Sequence, residues 1–373
     1  MSTRRRRGWL SAFLLATVIT GSGSLAGPVS ANEFRFNAGP WLDLATSVDE
    51  FIPYIDQTSQ AVLGPSQLNY SGKLTVLLVG SDHREGSGER LDTILIMSIN
   101  PSNKVITAAS IPRDTARIPI PPEYGGGTYK GKINGMFKFF KNQVGGERGL
   151  ALKRFERMVE YVLQINIDYT AYMRFGGFDA LVDEVSGVPT AIPYELRDDS
   201  YIDKPGDAAG AKFLASSNAL LKGGNAPRCV GGYPKPTQNW NAVPNCTRAL
   251  VYVRSRHGKL VGCCGNNDYK RAGRQQKFVY DAIKRVTNGF TSSKANALAS
   301  KANSMPNDFW TDIPTGGSSP VEMYNLLKNS TFSGNTTHSA VFSPKAYAQH
   351  IAGTSSNQLK LDVVRTKCNS LFD

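Results

Sequence analysis

Three apolar runs of strand length, close together in the first third of the chain, limit its possible folds more than any other feature. Leu74-Thr75-Val76-Leu77-Leu78-Val79 stops at Gly80, Thr93 to Ile99 is the second, and the turn Asn100-Pro101-Ser102-Asn103 leads into the third, Lys104 to Ile111. Runs that are apolar on both sides suit strands in the middle of a sheet covered on both faces. Helical patterns supply the cover. Glu147 to Leu163 turns Leu150, Ala151, Met158, Val159, Val162 and Leu163 toward one face. Phe178 to Val185 reads as a short helix stopped at Gly187, and Asp268 to Val286 as a long one. Val188 to Ile192 reads as strand, Ala249 to Val253 as a strand or short buried element, Pro320 to Lys328 as helix and Gln358 to Thr366 as a closing strand. Residues 287–305 show only weak periodicity. Strands and helices alternate along the chain, so the fold class is α/β, with α+β the alternative: a mixed central sheet flanked by helices.

The start of the chain assigns a compartment. Arg4-Arg5-Arg6-Arg7, the apolar stretch Trp9 to Ile19 and a Gly/Ser-rich passage ending at Ala31 read as a signal peptide or membrane anchor over 1–31. Either reading leaves the arginines in the cytoplasm and puts the body outside it, membrane-associated or secreted to the wall. Residues 32–71 form a polar lead-in with one helix near 42–55. A net charge of +13 suits nucleic acid, anionic lipid or a phosphorylated ligand; export disfavours the first. Of five cysteines, Cys229, Cys246, Cys263 and Cys264 cluster and Cys368 stands apart. An oxidising compartment favours disulfides, with three pairings open for the cluster and one cysteine left over. The absence of C-x-x-C spacing makes a zinc site improbable.

Charge collects where the expected strands end: Gly80-Ser81-Asp82-His83-Arg84, Arg90-Leu91-Asp92, Arg113-Asp114, and Arg254-Ser255-Arg256-His257 with Asp268, Arg271, Arg274 and Gln275 at the head of the long helix. Asp82 and Asp92 could meet as oxygen ligands for magnesium, which accepts one or two carboxylates and completes its shell with phosphate. Arg90, Arg113, Arg254 and Arg256 could hold a pyrophosphate through forked hydrogen bonds that lysine cannot reproduce. Singly, each has an ordinary structural explanation: Arg-x-Arg pairs often only edge a strand, and aspartates favour turns. Gly145-Gly146 lacks the Lys-Ser/Thr of a P-loop, and His257 has no G-x-S-x-G partner.

Together these segments resemble the LytR–CpsA–Psr family of extracytoplasmic phosphotransferases. The similar stretches are LLVGSDHR at 77–84, RLDTILIMSINP at 90–101, SIPRDTARIPIP at 110–121, KIN at 132–134, ALVDEVSGVPTAIP at 180–193, and YVRSRH and DYKRAGRQQ at 252–257 and 268–276. The resemblance implies one catalytic domain over 72–287, with 288–373 packing on or completing it, and an apolar channel for a polyprenyl tail. It implies a magnesium-dependent transfer (manganese being a possible substitute) of a glycan-phosphate from polyprenyl pyrophosphate to a peptidoglycan hydroxyl, at the membrane surface. Asp82 and Asp92 match the family's metal positions. Arg90, Arg113, Arg254, Arg256 and Gln275 match its pyrophosphate-binding and catalytic positions. Arg84, Asp114, Lys132, Asn134, Asp268, Arg271 and Arg274 match less specific motif positions, with pyrophosphate contact expected of the basic ones and of Asn134. Arginine is a poor base, so an aspartate or metal-held solvent is the easier proton acceptor. Two rivals use the same residues: a hydrolase of prenyl-linked pyrophosphate, and a non-catalytic wall-polymer binder. The stretches 223–246 and 258–267 depart from the family pattern and carry the four clustered cysteines, so a disulfide-stapled rim beside the site is expected.

Overall fold

The computed structural model describes residues 67–84, 88–201, 210–229, 240–241, 243–289, 291–314, 318–332 and 339–372. The leader over 1–31 and the helix expected near 42–55 lie outside them. In chain order the elements are β1 (Leu74–Arg84), β2 (Gly88–Asn100), β3 (Val105–Ser110), β4 (Ala116–Pro119), β5 (Thr128–Lys132), α1 (Met136–Gln143), α2 (Arg148–Leu163), β6 (Tyr169–Arg174), α3 (Phe175–Glu184) and β7 (Val188–Ile192). Next are β8 (Leu196–Asp198), β9 (Ala211–Phe213), β10 (Ser216–Leu221), α4 (Ala249–Arg254), β11 (Lys259–Leu260), β12 (Cys264–Gly265), α5 (Asp268–Gly289) and α6 (Ser292–Asn303). The chain closes with β13 (Phe309–Thr311), α7 (Ser319–Lys328), β14 (Thr331–Phe332), β15 (Ser339–Val341), β16 (Ala348–His350), β17 (Asn357–Leu359) and α8 (Leu361–Phe372).

The three apolar runs pair as expected and form the middle of a mixed sheet, ordered β13-β6-β1-β2-β3-β14, with β15 also on β3. β1 is antiparallel to β2 and parallel to β6. Side chains of a strand alternate between faces, and both faces here are apolar. Leu74, Val76 and Leu78 pack with Phe178, Phe278 and Ile283 beneath α3 and α5, whereas Leu77 and Val79 pack with Phe137, Phe155 and Val159 beneath α1 and α2. Each fully buried side chain of this kind is worth about 1.5–3 kcal/mol, so the covered sheet dominates the stability.

Three expectations need correction and a fourth is narrowed. β1 does not stop at Gly80 but runs on to Arg84, because pairing with β2 continues beyond a bulge; Asp82 and His83 therefore sit on a strand. Of the two readings for Ala249 to Val253, the strand falls and the short buried element holds: Ala249–Arg254 is a helix with Ala249, Leu250, Val251, Tyr252 and Val253 buried. The weakly patterned stretch after 287 contains α6, whose small alanines bury against the domain without a large apolar face. Gln358 to Thr366 is mainly α8, preceded by a three-residue strand. Among the described residues no helix is long and apolar enough to cross a membrane.

A buried charge network ties α2 to the sheet. Lys153 bonds Glu156 at 2.8 Å and also pairs with Asp312, while the Thr170 hydroxyl donates to Glu156 at 2.6 Å. Burial, then the nearby Asp312 charge, raise the Glu156 carboxyl to about 7 against the pull of Lys153. Burial also works against the Lys153 ammonium, but Asp312 and Glu156 outweigh it and push its pKa up. The folded protein thus holds the Glu156 proton more tightly than the unfolded chain, so this group's contribution to stability falls as pH rises from about 4.5 toward 7. Glu156→Gln should flatten that part of the profile, narrowing the pH 5 to pH 7.5 difference in unfolding free energy by on the order of 2 kcal/mol, read from denaturant titrations.

Candidate active site

The ladder between β1 and β2 slips at one point. Gly80 faces Thr93 but Ser81 faces Leu91, so Asp92 is the extra residue of a bulge. Bulges re-aim a side chain out of the strand's alternation. Here the Asp92 carboxylate meets the guanidinium of Arg113, in the turn after β3 that Thr115 closes by donating its hydroxyl to the Pro112 carbonyl at 2.7 Å. Arg113 also lies 3.9 Å from Asp114 and 3.8 Å from Asp268, the first residue of α5. One turn further along α5, Arg271 reaches Asp268 at 2.7 Å, and Arg256 approaches the same carboxylate at 3.6 Å. Lys132 donates to Asp114 at 2.8 Å and to the Ser355 hydroxyl at 3.2 Å. Asn134 is buried beside them, its backbone N–H on the Arg113 carbonyl at 3.3 Å.

A second pair stands across from this group. Asp82 faces Arg90 in the ladder, Arg84 ends the same strand, and Arg254 at the end of α4 comes within 3.6 Å of the Asp82 carboxylate. The Arg254 guanidinium lies 4.1 Å above the Phe175 ring and donates to the Tyr201 hydroxyl at 3.3 Å. Arg90 is exposed. Between the two groups runs a narrow pocket of about 40 Å³. Asp92, Arg174, Arg254, Arg271 and Gln275 line it together with the apolar Phe175, Phe178, Leu250, Val253, Phe278 and Val279. Gln275 is oriented by a bond from its amide to the Val253 carbonyl at 3.1 Å.

Arg274 has a different place from that expected of a pyrophosphate contact. Its guanidinium donates to the Tyr252 carbonyl at 3.2 Å, to Asn266 Oδ1 at 2.8 Å and to the Ser255 carbonyl, and burial pulls its pKa down to about 10. It therefore holds the Arg254–His257 loop from behind. Asp198 does the same from the other side. This fully buried carboxylate accepts the Ser255 hydroxyl at 2.5 Å and the backbone N–H groups of Arg256 and His257 at 3.2 and 3.1 Å. Gly258 then turns the chain with φ +75°, where a Cβ would stand 2.0 Å from the Arg197 carbonyl oxygen; only glycine fits. Asp198, Tyr201, Phe175 and Ser355 were not foreseen from the sequence. Nothing local separates Asp198 from its neighbour Asp199, and Ser355 arrives from more than two hundred residues away.

The cysteines resolve into Cys229–Cys246 and Cys263–Cys264, with Cys368 buried and free. In chain order the first bridge precedes α4, and the second sits in the β11–β12 hairpin between Arg256 and Asp268.

Charge decides what the cluster can bind. Burial works against the Arg113 cation, but Asp92, Asp114 and Asp268 outweigh it and push its pKa up. Burial likewise would raise Asp114, yet the Lys132 hydrogen bond and the Arg113 charge hold it below the usual carboxylate range. Both shifts favour the charged forms of Arg113 and Asp114. The buried Nε atoms of Arg113 and Arg271 have no hydrogen-bond acceptor, and an oxyanion would supply one. The metal question turns on the donor set. Asp82 and Asp92 are hard oxygen donors on adjacent strands, each beside an arginine, and no group of three metal-binding side chains occurs among the described residues. That set fits a cation completing its shell with phosphate oxygens rather than one caged by protein alone.

These features define a mixed α/β domain carrying a cluster of arginines and aspartates at the end of its central sheet, beside a largely apolar pocket. The chain belongs to the LytR–CpsA–Psr family, whose signature matches residues 47–338. It is similar to the polyisoprenyl-teichoic acid–peptidoglycan teichoic acid transferase TagV of Bacillus subtilis, with 26% identity over 231 residues covering 61% of this chain and 48% of that protein. The crystal structure of B. subtilis TagV superposes with a TM-score of 0.54 at 19% identity, covering 81% of this chain and 98% of that one. A structure of TagT bound to LIIa-WTA gives 0.51 at 18% identity, covering 83% and 97%. This chain spans about half the length of the curated relatives it matches.

Two outcomes follow for the scaffold of the site. Asp198→Ala strands four donors, the Ser200 N–H among them, and should cost about 3 kcal/mol or more, measured by urea unfolding; a loss below about 1 kcal/mol would mean the loop does not depend on that carboxylate. Replacing Cys229 and Cys246 by alanine should cost about 3 kcal/mol, whereas replacing Cys263 and Cys264 should cost much less, because loop-closure entropy grows with the loop.

Proposed function

We propose that the protein transfers a glycan-phosphate from a polyprenyl-pyrophosphate carrier to a peptidoglycan hydroxyl, outside the cytoplasm at the membrane surface. The observation that carries this reading is the convergence of Arg254 and Arg271 with Asp92, itself paired with Arg113, at the polar end of a pocket whose other walls are mostly apolar. Such a site matches a molecule with a charged diphosphate head and a hydrocarbon tail. The activity named for TagV supports the same donor and acceptor classes here.

In this reading the diphosphate takes the free donors of Arg113 and Arg271, with Arg254 and Arg256 on its flanks, and the first isoprene units enter between α3, α4 and α5. Magnesium, held by Asp82 and Asp92, would neutralise charge on the diphosphate oxygens. The acceptor hydroxyl oxygen attacks the sugar-side phosphorus, and the bond from that phosphorus to the bridging oxygen breaks. The prenyl monophosphate leaves with the electron pair, while the hydroxyl proton passes to an aspartate of the cluster. The arginines bind and orient the diphosphate and stabilise the charge that grows on the departing oxygen. The pocket is narrow, so α3 and α5 must part to admit a tail.

Incubation of the purified chain with a synthetic polyprenyl-pyrophosphate glycan, magnesium and a peptidoglycan oligomer tests the reading. The expected products are prenyl monophosphate and a new phosphodiester. Prenyl phosphate released without the phosphodiester would make the protein a hydrolase. Arg113→Ala should lower turnover by about 100-fold or more while melting changes little, as for loss of one transition-state donor. A merely graded, salt-sensitive loss of polymer binding, with no product from the parent protein, would favour a binding protein instead.

A further inference from the structure

On the other face of the sheet, at the same end, positive charge gathers a second time. Lys138 and Lys141 lie one turn apart on α1, Arg148 opens α2, and Arg174 ends β6. Their common neighbour is Glu89 of β2, only 5% exposed. It accepts Arg174 Nε at 3.0 Å, Lys141 Nζ at 3.4 Å, the Ser81 hydroxyl at 3.3 Å and the Tyr172 hydroxyl. The Lys138 ammonium stands 3.2 Å from where a Cβ on Gly88 would be, next to Glu89. Arg148 lies 5.4 Å above the Tyr172 ring and donates Nη1 to the Pro306 carbonyl at 2.8 Å, while its buried Nε has no acceptor.

The charges do not balance. Among the described residues the carboxylates that act on Arg148 are Glu89 and Asp308, so within them four cations share two acidic groups. Burial first, then the adjacent Arg174 charge, pull the Arg148 pKa down, as crowded positive charge should. The network of Lys153, Glu156 and Asp312 is the contrasting case: one cation between two carboxylates, closed on itself. The cluster around Glu89 has donors to spare. It also touches the active site, since Arg174 lines the pocket beside Asp92, Arg254 and Arg271.

We propose that Lys138, Lys141, Arg148 and Arg174 form a second anion subsite, joined to the pocket through Arg174, that takes a negatively charged group of the donor glycan beyond its diphosphate. This rests on the transferase reading and assigns to these four residues the reading of charge on the glycan. Glu89 is a positioning residue: it holds Arg174 and Lys141 without consuming the charge of the whole group.

The test compares two soluble probes by calorimetry on the full chain. One is geranyl pyrophosphate bearing a neutral disaccharide; the other carries an added phosphate on the outer sugar. The parent protein should bind the phosphorylated probe about 10-fold more tightly, the scale of one hydrogen bond to a charged group. Lys138→Ala with Lys141→Ala, both toward the surface, should erase that preference and leave the neutral probe's affinity unchanged. Arg148→Lys should keep part of the preference, which covers the case of a double variant that folds poorly. Equal affinity of the parent for both probes, or a preference that survives the double substitution, overturns the subsite while leaving the diphosphate reading standing. Binding of neither probe removes both.

Discussion

One extra residue in the β1–β2 ladder carries much of this molecule's electrostatics. With Asp92 in the bulge, a carboxylate leaves the alternation of a strand that is buried on both faces from Ile94 to Ile99 and meets Arg113 from the turn after β3. Without it, Arg113 would face Asp114 and Asp268 only at 3.9 and 3.8 Å, too long for hydrogen bonds. A guanidinium this enclosed needs a close partner, since a buried charge left unpaired costs several kcal/mol. The bulge therefore lets the sheet keep its apolar faces and still gather ionised groups at one end.

Holding those groups falls to residues that touch no pocket. The loop from Arg254 to His257 has almost no apolar content with which to fix itself, so hydrogen bonds replace packing. Asp198 takes its N–H groups and the Ser255 hydroxyl, Asn266 bridges Ser255 and the His257 carbonyl, and Arg274 binds the carbonyls of Tyr252 and Ser255. Both charged members, Asp198 and Arg274, have several oriented protein partners. Side chains that must sit within a fraction of an ångström of a diphosphate need such backing.

The central strands were legible in the sequence because a doubly covered strand writes itself as an unbroken apolar run. The helices over 148–163 and 268–289 were legible through their period. Asp82, Asp92, Arg113, Arg254, Arg256 and Asp268 could be picked out as charge at element ends. The bulge was not, because Arg90-Leu91-Asp92-Thr93 reads equally well in either register. Nor could the sequence separate Arg271, which meets the site's carboxylates, from Arg274, which turns its back on them. Three positions along a helix place two arginines on nearly the same face, and only the surrounding acceptors decide which one serves the loop. The basic group around Glu89 escaped for another reason: its cations come from three separate elements, and none lies within a motif.

The last third of the chain belongs to the same sheet as the first. β13 pairs with β6 at one edge, and β14 and β15 pair with β3 at the other. Gln276 of α5, fully enclosed, donates to Ser110 at 2.8 Å and to the Ala340 carbonyl at 2.7 Å, joining helix, β3 and β15. Ser355 and Asn357 then return to the site, the first on Lys132 and the second on the Tyr269 hydroxyl at 2.6 Å. An edge strand with unpaired backbone groups invites association with another chain, and here both edges of the central sheet are covered by late-arriving strands. Residues after 288 thus complete the domain in the physical sense: they terminate its hydrogen-bond ladders, seal the face beneath α5 and brace Lys132 against Asp114.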